Sequence, residues 1–76
     1  MVNTSLLEQV ILAEVRRMSP EAISVERLAK VAREEYINYG GSTMGISTAA
    51  YKVIDNLAHN HIVEVDMCGE VRLVHR

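Results

Sequence analysis

The sequence is most informative first in what it lacks. It has one cysteine, Cys68, so no disulfide can form within the chain, and a reducing compartment is implied. No apolar run approaches the roughly 18 residues of a membrane span, and the N-terminus shows no basic, apolar, small-residue leader pattern. A soluble, cytoplasmic protein is expected, associated with the nucleoid if the source is prokaryotic or viral. There is no repeat, linker or low-complexity segment. There is also no basic excess: 8 Lys and Arg against 10 Asp and Glu give a formal net charge of −2. Nucleic-acid binders usually carry a surplus of cations, so any such role must rest on local placement of charge.

What is present is enough for one folded unit over residues 1–76. The apolar share is 49% and the charged share 24%, which excludes a disordered chain. A chain this short buries roughly 60% of its unfolded surface, so a partner copy would help it.

Helical periodicity begins near Ser5, which with Glu8 has the spacing of a capping box. The spacing predicts a first helix over about 5–18, with Leu7, Ile11, Val15 and Met18 on one stripe. Leu6, Val10 and Ala13 form a second stripe about 100° round the axis. Two stripes mean either an unusually enclosed helix or a contact with another subunit. The dimer reading assigns Leu6, Val10 and Ala13 to that contact. Ser19-Pro20 ends the helix, because proline disfavours helical geometry in the residue before it.

After a short extended piece at Ile23, Ser24 caps a second helix over about 25–38. Its inward residues are expected to be Leu28, Val31, Ala32 and Tyr36. A third helix runs over about 47–60, with Ala50, Val53, Ile54 and Leu57 as its core stripe. The tail alternates with period two and reads as a β-hairpin over about 62–75. A three-residue loop, Met67-Cys68-Gly69, pairs Val65 with Val71, Glu64 with Arg72 and Val63 with Leu73. A two-residue loop would pair Val65 with Arg72 and mix the faces, so the first register is expected.

Helix, extended piece, helix, helix, hairpin is the order of the winged helix-turn-helix superfamily. The stretch "ISTAAYKVIDNLAHNHIVEV" resembles the recognition helix and first wing strand of the multidrug-resistance-type and arsenic-type winged-helix regulators. In size the chain is similar to small archaeal, phage or viral winged-helix proteins. The resemblance implies an α+β fold: a three-helix winged helix-turn-helix with a short C-terminal β-hairpin wing. One departure is the turn before the wing strand. Where those families often place glycine this chain has His61, with Asn60 expected to take the left-handed geometry.

The glycine-rich stretch "YINYGGSTMGISTAAY" suggests a phosphate cradle at first sight. A P-loop, however, needs lysine after its second glycine and a buried strand before its first. Ile46 stands at the lysine position and a helix precedes Gly40, so the stretch reads as an enlarged turn. His59, His61, Cys68 and His75 match no familiar zinc spacing, and no metal is expected. The acids Glu34 and Glu35 diverge by about 100° on a helix, and no nucleophile-base set can be placed on one surface. No enzyme activity, cofactor or small-molecule substrate is expected.

Double-stranded DNA is the partner the resemblance implies, with the third helix in the major groove. Ser47, Thr48, Tyr51, Lys52 and Asn56 are the candidate groove contacts. Arg27, Lys30, Ser42, Thr43 and Arg72, with Arg76, are candidates for the DNA backbone. Asp55 and the acidic wing tip from Asp66 to Glu70 oppose phosphate, so the tip is expected to stay out of the minor groove. The competing function is a winged-helix module that meets another protein without touching DNA.

Overall fold

The computed structural model describes residues 3–40 and 45–74. The elements run α1 (Thr4–Met18), β1 (Ile23–Ser24), α2 (Val25–Asn38), α3 (Ile46–His59), β2 (Val63–Val65) and β3 (Glu70–Leu73). Three helices and a three-stranded antiparallel sheet of order β1-β3-β2 form an α+β architecture. No described helix is long and apolar enough to cross a membrane.

The start of α1 differs from the expected capping box. Asn3 is the N-cap, and its side chain accepts from the Leu6 amide at 3.1 Å. Ser5 lies inside the first turn. Asparagine caps as well as serine, and taking it extends the helix backwards at no loss of backbone pairing. The amide of Asn3 is itself held, donating to the Tyr36 hydroxyl at 2.7 Å. At the other end Ser19 is the C-cap, ahead of a cis peptide bond to Pro20.

Ser24 caps α2 as expected, accepting from the Arg27 amide at 3.2 Å. Gly40, at φ 85°, closes the helix with a bond to the Ile37 carbonyl. Leu28, Ala32 and Tyr36 are buried, but Val31 is only half-buried and Ala29 takes its place in the core. The third helix starts one residue early, at Ile46, with Gly45 as a left-handed N-cap at φ 72° and no side-chain cap. Ile46 is buried, so the apolar stripe reaches back to the helix start.

The end of α3 corrects a second expectation. Asn60 has φ −87°, and His61 is the left-handed residue at φ 60°. The Ile62 amide bonds the Leu57 carbonyl, and the His61 amide bonds that of Ala58. These two bonds make a Schellman cap, whose left-handed position falls one residue after the cap, on His61.

The hairpin has the expected register: Val63 faces Leu73, Glu64 faces Arg72 and Val65 faces Val71. Asp66 and Glu70 bracket the loop, and Gly69 is left-handed at φ 77°. The first strand adds to β3 through Ile23 opposite Val71, and the Val25 amide bonds the Gly69 carbonyl. That bond ties the start of α2 to the hairpin turn.

The core lies between the helices and one face of the sheet, centred on Leu7, Ile11, Leu28, Ile54, Val63 and Val71. Val10 belongs to it at 8% exposure, so it offers little surface to a second subunit. The reason is that α1 packs on both α2 and α3. Of the other two positions on the second stripe, Leu6 is half-buried against the core and Ala13 is exposed.

Candidate nucleic-acid interface

The third helix turns its core stripe inward and a polar face outward. Stepping about 100° per residue, Thr48, Asp55 and His59 stand opposite the buried residues. Tyr51 lies to one side of that line and Lys52 to the other; Ser47 and Asn56 form the margins. All seven are exposed, and Tyr51 is the only large apolar surface among them.

Two grooves flank this face. The groove toward α2 is lined by Glu26, Lys30, Arg33, Ser47 and Tyr51, over the small side chain of Ala29. The groove toward α1 is lined by Thr4, Glu8, Thr48, Lys52 and Asn56. The predicted groove contacts are therefore divided. Ser47 and Tyr51 share a cleft with two cations and one carboxylate, Glu26, whereas Thr48, Lys52 and Asn56 share one with the carboxylate of Glu8. Tyr51 also borders the hairpin turn at Cys68 and Gly69.

The predicted backbone contacts are placed less uniformly. Lys30 reaches the α2–α3 groove, but Arg27 does not; it lines an adjoining cleft with Ser24, Glu26, Lys30, Val31 and Glu34. Arg72 lines neither groove; its guanidinium lies 3.4 Å from an Asp66 oxygen. Ser42, Thr43 and Arg76 lie outside the described residues, as does His75. Arg33 was not among the predicted contacts, although it follows Lys30 by one helical turn. That spacing places it beside Lys30 on any helix, but sequence spacing alone does not tell which side of α2 meets α3.

Charge pairing sharpens the contrast. The described residues contain two ion pairs, Arg17 with Glu14 and Arg72 with Asp66. Lys30, Arg33, Arg27 and Lys52 are in neither, so their charges face solvent. At the wing turn, Asp66 accepts from the Glu70 amide at 3.0 Å and from the Cys68 amide at 2.9 Å. The Glu70 bond, with help from Cys68 and Arg72, holds the Asp66 carboxyl below the usual carboxylate range. The carboxylate thus ties the Cys68 and Glu70 amides together across the turn.

The described residues contain no cluster of three metal-ligating side chains, and Cys68 is an exposed free thiol. Gly40 and Gly45, at the two ends of the glycine-rich stretch, are both left-handed, and a Cβ at either would meet open space. Backbone geometry is thus what these two positions require. Compared with protein-family models, with curated proteins and with solved structures, the chain shows no match.

Proposed function

We propose that the protein is a double-stranded DNA-binding regulator of the winged helix-turn-helix kind, with α3 in the major groove. The observation that carries this reading is the groove between α2 and α3. There two cations without ion-pair partners, Lys30 and Arg33, outnumber the one acid of the groove, Glu26, beside Ser47 and Tyr51 on the exposed polar side of α3. The order of helices and the β1-β3-β2 sheet support the same reading. A helix about 12 Å across with its side chains fits a major groove of similar width. Lys30 and Arg33 then meet one phosphate wall, and Ser47, Thr48 and Tyr51 lie nearest the base edges. Lys52 meets the opposite wall, weakened by the nearby Glu8. The wing stays outside the minor groove, because its tip carries Asp66 and Glu70.

A homodimer through α1 completes the proposal, with Ala13 and Leu6 as the positions open to a partner. Two copies would double a small set of phosphate contacts. No catalysis, cofactor or small-molecule substrate forms part of this proposal, and the location it expects is the cytoplasm, with the nucleoid if the source is prokaryotic or viral.

The second reading, a protein-interaction module, draws on a different surface. Ile62, Val65 and Met67 are exposed along the β2 side of the hairpin, Met67 fully so. A mobility shift against mixed-sequence duplex DNA at low and moderate salt separates the two. Binding at low salt that weakens with Lys30→Glu and with Lys52→Glu is expected. No shift at low salt, or a shift indifferent to both substitutions, leaves the protein-interaction reading.

A further inference from the structure

Asp55 occupies the middle of the outward face of α3, directly opposite the buried stripe and in line with Thr48 seven residues before it. It is exposed, and neither ion pair among the described residues includes it, although Lys52 and His59 lie one turn to either side along the helix. For a helix that enters DNA this is the least favourable place for an acid, unless the acid has a partner there. The inference that follows rests on the DNA-binding reading.

A helix seated in the major groove aims its outermost side chains at the groove floor and its flanks at the phosphate walls. Asp55 and Thr48 then face base edges, and Lys30, Arg33 and Lys52 face the walls. On the floor, guanine offers only acceptors, and so does thymine. Adenine offers an amine, but its neighbouring N7 acceptor repels the second carboxylate oxygen. Cytosine offers its N4 amine with an acceptor on one side only, the O6 of its paired guanine, and a non-polar C5–H on the other, whereas the adenine amine lies between its own N7 and the O4 of thymine. We propose that Asp55 is a specificity-determining residue that accepts from the N4 amine of a cytosine opposite the third turn of α3. The same carboxylate repels every phosphate, so it lowers affinity for all duplexes and restores it only where that cytosine is present.

The test begins with selection from a random-sequence duplex pool at low salt. The enriched duplex, and the same duplex with its cytosine–guanine pair changed to thymine–adenine, are then titrated with the wild-type chain and with Asp55→Asn. Far-UV circular dichroism verifies that the exposed substitution leaves the fold intact. The wild-type chain is expected to prefer the cytosine duplex by roughly five- to a hundredfold. Asp55→Asn is expected to bind the unselected pool more tightly and to lose that preference. If Asp55→Asn strengthens both duplexes by the same factor, or the enriched motif lacks a cytosine, the role of Asp55 is overturned and DNA binding stands. If the pool is bound at low salt but no motif is enriched, this inference falls and DNA binding stands; if the pool is not bound at low salt, both fall.

Discussion

The hydroxyl of Tyr36, near the end of α2, accepts a hydrogen bond from the backbone amide of Asn3, 33 residues earlier, at 2.7 Å. Asn3 in turn caps α1 with its side chain. One buried ring thus fixes where the first helix begins and how it lies against the second. Tyr36→Phe keeps the ring and removes the acceptor. A loss of about 1 kcal/mol is expected, because Asn3 is exposed and water replaces the lost partner. In thermal denaturation this appears as a midpoint lower by roughly 4–8 °C with unchanged helical content.

His61 is the left-handed residue of the Schellman cap after α3. A side chain there is strained by about 1–2 kcal/mol, and glycine relieves the strain at the expense of some unfolded-state entropy. His61→Gly is therefore expected to stabilise the protein by about 0.5–1 kcal/mol, measured as a higher urea midpoint with an unchanged slope. A lower midpoint would show that the imidazole makes a compensating contact.

Gly45 poses the opposite case. It begins α3 at φ 72°, and a Cβ there would meet no atom. Gly45→Ala is expected to destabilise by about 1–2 kcal/mol through the backbone alone. Because α3 presents the candidate contacts, the same variant tests whether their placement depends on this cap. The readout is amide hydrogen exchange in residues 46–50, which should quicken relative to the rest of the helix.

The wing turn should respond to acid. The carboxyl of Asp66 is held below its ordinary value chiefly by the Glu70 amide, with Cys68 and Arg72 assisting. A depressed carboxyl stabilises the fold fully above the unfolded value of about 3.9, and that contribution is lost as pH falls through the folded value. In a nuclear magnetic resonance titration the Cys68 and Glu70 amides should shift together, with a midpoint below about 3.9. Asp66→Asn should abolish that step. A midpoint at or above the ordinary value would contradict the geometry.

Much of this arrangement was legible from sequence, where one physical constraint had one solution. The hairpin register followed because only a three-residue loop puts Val63, Val65, Val71 and Leu73 on one face and leaves Gly69 at the left-handed position. The stripe of α3 followed from its spacing, and only its first residue, Ile46, was missed. Other features depended on partners distant in the chain. Ser5-Glu8 and Asn3 are both good local caps, and Tyr36 adds its bond to the amide of Asn3. The two stripes of α1 could not distinguish a second helix from a second subunit, and the structure buries only Val10 of the second stripe, leaving Leu6 half-buried and Ala13 exposed. The candidate site suffered most. Lys30, Arg33, Lys52 and Glu8 are all visible in the sequence, but which of them share a groove depends on how the helices cross.

The central claim is that duplex DNA binds along α3, with its phosphates on Lys30 and Arg33. It is tested most directly by fluorescence anisotropy of a labelled mixed-sequence duplex, titrated between about 50 and 200 mM salt. For the wild-type chain, the logarithm of the binding constant should fall linearly with the logarithm of salt, by about 0.9 per phosphate contact. Lys30→Gln and Arg33→Gln should each weaken binding at every sequence and reduce the slope by about 1. Binding absent at the lowest salt, or a slope that neither substitution changes, would contradict it.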